Sequence, residues 1–275
     1  MRFELHCHST CSDGTEAPAR VAARAAERGV EVFALTDHDT TLGSGVTVEG
    51  SAMRSIRAVE LTCDDDGRTV HVLAYDRAGG ASGASGGWLA LEQRLAAVRT
   101  ARTNRMRVMI AKLALRGVQI EVEPLVAESE RRSVGRPDLA RAMVAIGAAS
   151  SVKDAFARHL YDGGPVDVPH RCLPLTEALA LGRAAGSALA LAHPHLYDDR
   201  SAAMIRKHKA DGLDGIEAFH GAYDPRERKR WIAVADQLGV TCTGGSDWHG
   251  PEDAMAQPGV ELPPDRSDAL LRWLG

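Results

Sequence analysis

Apolar residues in this chain come in short bursts, and the segments between them repeat their apolar positions every three or four residues. That is the pattern of alternating strands and helices. Arg2–Cys7 predicts a first strand. Pro18 then suits the first turn of a helix running to about Glu27, with Gly29 closing it. Val32–Thr36, Ser55–Leu61 and Thr69–Ala74 predict three further strands. The run GGASGASGG at Gly79–Gly87 has the composition of a flexible linker. After it Leu95, Val98, Met106, Met109, Ile110 and Leu113 recur at helical spacing, so Trp88–Arg116 is expected to form one long amphipathic helix ended by Gly117. Helical segments around Pro137–Ile146 and Val152–His159 follow with no strong strand between them.

Strand and helix then alternate again. Thr176–Ala185 and Ser201–Asp211 predict helices, and Leu189–Ala192 and Gly215–Phe219 predict strands. Asp224 as N-cap and Pro225 as first-turn residue open a helix to about Leu238; a strand at Val240–Thr243 and a helix at Ser267–Leu274 close the series. The expected fold is α/β, a barrel interrupted by helices. Residues 1–78 and 171–275 form its two parts and residues 88–170 the insertion.

The length of 275 residues suffices for one large α/β domain or a barrel with an insertion, and 44% hydrophobic and 25% charged residues are ordinary for a globular chain. A net charge of −4 argues against a protein built to coat nucleic acid. No window is apolar enough for a membrane span, and the start lacks the basic and apolar regions of a signal peptide, so a cytoplasmic protein with no membrane partner is expected. Five scattered cysteines with no C-x-x-C pair fit a reducing compartment.

The chemistry lies in where histidines and carboxylates fall. His6 and His8 are two apart at a predicted strand end, so both imidazoles share a face and Cys7 points the other way, into packing. Asp13 follows in a Ser-Asp-Gly turn. His38 stands in Thr-Asp-His-Asp after the second strand, Glu60 ends the third, and His71 lies within the fourth. His193 and His195 follow the strand after the insertion, and Asp247 and His249 follow the last. Strand C-termini of a parallel barrel open on one face, so these groups are expected to converge. Six His, two Asp and one Glu (His195 apart) exceed the four ligands of one tetrahedral zinc and suit two or three divalent ions such as Mn²⁺, Zn²⁺, Fe²⁺ or Mg²⁺. Glu60 is the expected bridge, since each of its oxygens can take one ion. His159, His170 and His208 are expected to be ordinary hydrogen-bonded residues.

His-x-His with Ser-Asp-Gly, Thr-Asp-His-Asp, Val-Glu, His-Val-Leu, Ala-His-Pro and Ser-Asp-x-His, in that order, resemble the polymerase-and-histidinol-phosphatase (PHP) phosphoesterases over nearly the whole chain. Val134-Gly135-Arg136-Pro137 and Gly163-Gly164-Pro165 resemble the subgroup that dephosphorylates nucleotides, including nucleoside 3′,5′-bisphosphates, and trims short 5′-phosphorylated RNA. The resemblance implies a distorted (β/α)7 barrel with an inserted helical subdomain as substrate cap and metals at the strand C-termini. It implies one ion on His6, His8, Glu60 and Asp247, a second on Asp13, His38 and His249, and a third on Glu60, His71 and His193. The chain departs from the subgroup at Asp138 and Tyr223, where His is usual, at Ala58, where Gly is expected, and in a shorter stretch between Asp39 and Glu60.

Phosphate monoesters hydrolyse so slowly that catalysis must rest on charge neutralisation and a strong nucleophile, here expected to be a metal-held hydroxide. His195 is a candidate general acid or phosphate-orienting group. The segment from Arg94 to Arg141 holds 11 basic and five acidic residues, a net +6 that leaves −10 for the rest of the chain. Such a basic cover over an acidic metal site suits a second substrate phosphate, and Arg136 is expected to contact it, with His220 a further substrate-site candidate. A phosphatase acting on a small nucleotide is the leading expectation. Its alternatives are a 5′→3′ exoribonuclease on short RNA, a histidinol-phosphate phosphatase, an amidohydrolase-type C–N hydrolase and a non-catalytic metal-dependent binding module.

Overall fold

The computed structural model describes residues 1–77, 86–127, 129, 132–170, 172–252 and 257–275. Its first half runs β1 (Arg2–Glu4), α1 (Pro18–Glu27), β2 (Val32–Phe33), β3 (Arg54–Ser55), β4 (Ala58–Asp65) and β5 (Arg68–Asp76). Helices α2 (Gly86–Ala114), α3 (Glu123–Val126), α4 (Arg136–Ala145) and α5 (Val152–Ala155) follow, the last continuing as a π-helical turn at Phe156–Leu160. Then come β6 (Leu173–Pro174), α6 (Leu175–Ala184), β7 (Ser187–Leu191), α7 (Arg200–His208), β8 (Leu213–His220), α8 (Pro225–Leu238), β9 (Thr241–Gly245), β10 (Val260–Glu261) and α9 (Pro264–Leu274). The expected linker at Gly79–Gly87 falls outside the described residues except for Gly86 and Gly87, which open α2.

The strands form two sheets, ordered β10-β1-β2-β3 and β6-β4-β5-β7-β8-β9. Hydrogen bonds stitch their edges. On one side Leu5 N–H reaches the Gly244 carbonyl (3.2 Å) and Asp247 N–H the His6 carbonyl (2.7 Å). On the other, Glu60 N–H reaches the Thr36 carbonyl (3.2 Å) and Asp39 N–H the Glu60 carbonyl (2.9 Å). The candidate ligands therefore lie along both seams. Gly245 makes the first possible, because a Cβ there would stand 2.3 Å from the His6 nitrogen.

The expectation of parallel strands holds for β7, β8 and β9 and fails at β5, which runs antiparallel to both β4 and β7. The cause is local. Asp66 and Gly67 have φ of 54° and 80°, the left-handed pair that closes a two-residue hairpin, so β4 turns straight back into β5. His71 consequently reaches the centre from the middle of its strand and not from a C-terminal end. The expected strand at Ser55–Leu61 divides into β3 and β4, while β6, β10 and α3 are too short to leave a periodic signal.

Phe3, Leu5, Leu73, Tyr75, Leu191, Ile216, Phe219 and Trp231 belong to one core between the second sheet and its helices. Met106, Met109, Ile110, Leu113, Leu139, Met143 and Leu160 form a separate apolar cluster within the inserted helices. Cys7 packs with Val21, Phe33, Leu35 and Trp248, on the side away from the His6 and His8 imidazoles. Among the described residues no helix is long and apolar enough to cross a membrane. Helix α8 opens as expected, with the Asp224 carboxylate accepting the Arg226 and Glu227 N–H groups at 2.8 Å each. Replacing Asp224 by Ala is expected to cost about 1 kcal/mol of stability, and by Ser much less, in urea unfolding.

Candidate metal centre

The nine candidate ligands converge. Four sets of His, Asp and Glu side chains bring ligand atoms within 4.8 Å of one another: His8, Asp13, His38, His249; His6, His8, Asp247; His6, Glu60, His193; and His38, Glu60, His71. Glu60 stands in the middle, fully buried. Its Oε2 faces His6 Nε2 and His8 Nε2, each at 3.3 Å, and His38 Nδ1 at 3.0 Å. Its Oε1 faces His193 Nε2 at 3.0 Å and His71 Nδ1 at 3.1 Å. The two oxygens thus serve different histidine sets, the arrangement a bridging carboxylate needs.

The donor set fits cations on two grounds. His6 Nε2, His8 Nε2, His38 Nδ1 and Glu60 Oε2 are buried without a hydrogen-bond partner, which costs free energy unless something else satisfies them. Asp247 Oδ1 lies 3.3 Å from His6 Nε2 and 3.2 Å from His8 Nε2, so each of these imidazole nitrogens faces two carboxylate oxygens, those of Asp247 and Glu60, at 3.2–3.3 Å. The looser set has Asp13 Oδ1 3.4 Å from His249 Nε2 and Asp13 Oδ2 3.7 Å from His38 Nε2.

Charge is balanced within the cluster. Burial opposes the protonated form of His8, yet Asp247, Glu60 and Asp13 outweigh it and raise its pKa to about 10. Burial would likewise push Glu60 up, but His38, His6 and His71 hold it well below the ordinary carboxylate range. Asp13 and Asp247 are lowered well below that range despite their burial, chiefly by His249 and His38 in the first case and His6 in the second. Protons therefore occupy imidazoles that a metal would need neutral.

Strain marks the same place. His193, Asp39 and Asp247 have φ of 26°, 52° and 55°, a region that side-chain-bearing residues rarely adopt. Tight turns there aim His193 and Asp247 back over the strand ends.

His220 lies beside the cluster, its Nε2 3.5 Å from Asp247 Oδ2, while its Nδ1 accepts the Ala222 N–H at 3.1 Å. His195 is half-buried, and its Nδ1 is 2.9 Å from the Tyr223 hydroxyl. That hydroxyl also receives the His195 N–H at 3.4 Å, and when its own proton is donated to Nδ1 the His195 proton stands on Nε2. Burial, His220 and His193 lower the His195 pKa.

Arg136 lines a cleft of about 910 Å³ that also reaches Asp13, His38 and His71. Its guanidinium pairs with Asp162, donates to the Leu160 carbonyl at 3.1 Å and lies over Phe156. Arg102, Arg105, Arg68 and Arg200 line the same cleft, whereas His195 and His220 do not. His170, read from sequence as an ordinary residue, also lines it. Burial followed by Arg102 depresses its pKa to about 3. His208 bonds Asp211 at 3.1 Å, as an ordinary residue would.

Sequence reasoning missed the carboxylates that support the ligands. Glu217 Oε1 is 2.9 Å from His6 Nδ1, and its Oε2 accepts the His193 N–H at 2.7 Å. Glu4 accepts N–H groups from His6 (3.1 Å), Ser246 (2.9 Å) and Gly259 (2.6 Å). The available signal was a carboxylate next to an apolar run in each strand, Glu4 in Phe3-Glu4-Leu5 and Glu217 in Ile216-Glu217-Ala218-Phe219.

No family model matches the chain. It is similar to the 3′,5′-nucleoside bisphosphate phosphatase of Chromobacterium violaceum, with 30% identity over 271 residues, or 95% of this chain and 93% of that protein. It is similar to the 5′-3′ exoribonuclease of Haemophilus influenzae, with 30% identity over 259 residues, or 91% and 90% of the two chains. A crystal structure from Bifidobacterium adolescentis, described as a metal-dependent phosphoesterase, superposes with a TM-score of 0.80 at 28% identity, covering 98% of this chain and 96% of that one.

Glu217→Gln is expected to weaken metal binding roughly 10–100-fold by freeing the His6 ring, measured by isothermal titration with Mn²⁺. Because binding displaces protons from His8 and its neighbours, apparent metal affinity should rise from mildly acidic to mildly basic pH. Titrations in buffers of different ionisation enthalpy should record proton release, and a pH-independent affinity would contradict that charge balance.

Proposed function

We propose that this chain, which belongs to the PHP family of metal-dependent phosphoesterases, removes phosphate from nucleotides, nucleoside 3′,5′-bisphosphates above all. The observation that carries this reading is the cleft, which joins the carboxylate–imidazole cluster to a wall of arginines. A substrate with one phosphate to react and another to be gripped matches both halves.

In this reading His6, His8, Glu60 and Asp247 hold one ion, Asp13, His38 and His249 a second, and Glu60, His71 and His193 a third. Mn²⁺, Zn²⁺, Fe²⁺ and Mg²⁺ suit these nitrogen and oxygen donors. Bound divalent ions supply charge neutralisation for the phosphoryl group and acidify water. The protein's own share is placement. Glu217 and Glu4 fix His6, Arg105 and Arg136 receive the second phosphate, and His195 offers its Nε2 proton to phosphate or to the departing oxygen. The two sheets act as the parts of one distorted (β/α)7 barrel, with residues 88–170 as its cap. Five free cysteines suit a reducing cytoplasm.

A small substrate is favoured over RNA because Phe156 is the one Phe, Tyr or Trp among the described residues lining the cleft, where an extended strand would use several stacking rings. The exoribonuclease reading draws its support from the Haemophilus relative. Asp13 and Glu60 exceed what an amidohydrolase-type centre requires.

The deciding experiment is phosphate release, with Mn²⁺, Mg²⁺ or Zn²⁺, from mononucleotides, a nucleoside 3′,5′-bisphosphate, a 5′-phosphorylated dinucleotide and histidinol phosphate. The bisphosphate should react best, and Asp247→Ala should abolish release. Dinucleotide cleavage at comparable kcat/KM would shift the reading to the exoribonuclease, and no release from metal-loaded protein would end it. Arg136→Ala should raise KM for the bisphosphate about tenfold, the value of one lost charged hydrogen bond, with little change for a mononucleotide. His195→Ala should lower kcat about 100-fold. In that background Tyr223→Phe should do nothing further, since Tyr223 acts through the imidazole.

A further inference from the structure

We propose that the inserted helices do more than cover the cleft: they brace the two loops carrying Asp13 and His38, and so build the ion site of Asp13, His38 and His249. The inference rests on the metal-binding reading above and assigns Arg132, Asp138 and Arg99 as positioning residues.

The strands alone do not hold this site. His6, His8 and Glu60 stand on or beside β1 and β4, whereas Asp13 sits in the turn Ser9–Gly14 and His38 in the loop after β2. From the barrel side, Asp37 secures the first turn. It accepts Ser9 N–H at 2.8 Å, Ser9 Oγ at 2.6 Å and Ser12 Oγ at 2.6 Å. Gly14 seals the turn, since a Cβ there would stand 2.6 Å from the His8 carbonyl group.

The outer side is held by the insertion. Arg132 donates from Nη2 to the Ser12 carbonyl at 2.5 Å, and Ser133 N–H donates to the Cys11 carbonyl at 2.8 Å. The acceptors are the two carbonyls immediately before Asp13. Arg132 is aimed by Asp138, whose Oδ1 takes the same Nη2 at 2.6 Å while its Oδ2 accepts Gly135 N–H at 2.8 Å. Asp138 is 5% exposed and third in α4, so the clamp is tied to a helix N-terminus and not to a mobile rim. A neutral imidazole at this position could not give one oxygen to Arg132 and another to the backbone.

The second loop is gripped from α2. Arg99 donates to the Asp39 carbonyl at 2.9 Å, and Arg102 donates from Nε to Asp39 Oδ2 at 2.8 Å. Asp39 follows His38, is fully buried, and holds φ at 52°. Its other oxygen accepts Thr62 N–H at 2.8 Å, tying the loop to the strand of Glu60. Two of the three segments that carry ligands of this site, those of Asp13 and His38, are therefore clamped by arginines of residues 88–170, and each clamp acts on a residue adjoining a ligand.

The test is isothermal titration of the full chain, freed of metal, with Mn²⁺ alone. Wild type should bind in at least two classes. Arg132→Met and Asp138→Asn should weaken the looser class roughly 10–100-fold and leave the tighter class within about twofold, as for groups supporting metal ligands. Arg132→Lys should recover part of the loss. Arg141→Met serves as control: Arg141 pairs with Asp138 at 3.0 Å but donates to neither carbonyl before Asp13. Unchanged isotherms in both Arg132→Met and Asp138→Asn would overturn the proposal. So would equal weakening of both classes alongside a fall in Tm, or an equal effect of Arg141→Met. If Arg132→Met does not fold, Asp138→Asn and Arg99→Met carry the same prediction. Normal isotherms with no phosphate release from any substrate would defeat the phosphatase reading, not the bracing. Phosphate release with isotherms indifferent to the clamp would do the reverse.

Discussion

The structure depends on a carboxylate that has no contact with water. Glu60 is surrounded by His6, His8, His38, His71 and His193, with nitrogen–oxygen separations of 3.0–3.3 Å. Burying one such ion unpaired costs several kcal/mol, so its surroundings must supply positive charge. Protons on the imidazoles or divalent cations among them both meet that need, and the geometry suits the cations better. Buried nitrogens and an oxygen without hydrogen-bond partners, with the His6 and His8 nitrogens each facing two carboxylate oxygens, are a poor hydrogen-bonding arrangement and a good coordination site. The rest of the fold reads as a means of bringing these groups to one carboxylate and holding them there.

The holding is done in layers. Turns with strained backbone at His193 and Asp247 direct ligands over the strand ends, and strain of this kind persists only where the surroundings over-determine it. Glu217 and Glu4 do so from beneath, each joining segments far apart in the chain. Glu217 links His6 to His193, and Glu4 links His6 to Ser246 and Gly259. From above, the inserted helices grip the Asp13 and His38 loops. The same helices supply Arg102, Arg105 and Arg136 of the cleft, so in the proposed reading substrate recognition and one part of the candidate cation site share a scaffold. A change in how those helices sit on the two sheets would be felt by both.

Much of this was legible in the sequence. Strand alternation placed His6 and His8 on one face and Cys7 on the other, and the structure has it so. Asp224 and Pro225 announced the start of α8 because an N-cap and its neighbouring proline act within a few residues of chain. The ordered motifs pointed to nine converging ligands, which the fold brings together around Glu60. The Asp-Gly pair that reverses β4 into β5 was also present, but a two-residue turn competes with the expectation of parallel strands and was passed over. Only its recognition explains how His71 enters from mid-strand.

Other features had no local signature. Glu217 and Glu4 look like single acidic residues in apolar strands until the fold sets them beneath His6. Arg136, singled out by its motif, is engaged by Asp162 and Leu160, while Arg132, in no motif, reaches the turn that carries Asp13. The difference is one of range. Helix caps, strand faces and turn chemistry act over a few residues, so the sequence by itself determined most of the longer elements and the inventory of candidate ligands. Which charge meets which, and which arginine braces a loop, depends on contacts between segments far apart in the chain, such as Ser12 with Arg132 and Asp39 with Arg99. Those were decided only when the sheets met along their seams and the inserted helices came down upon them.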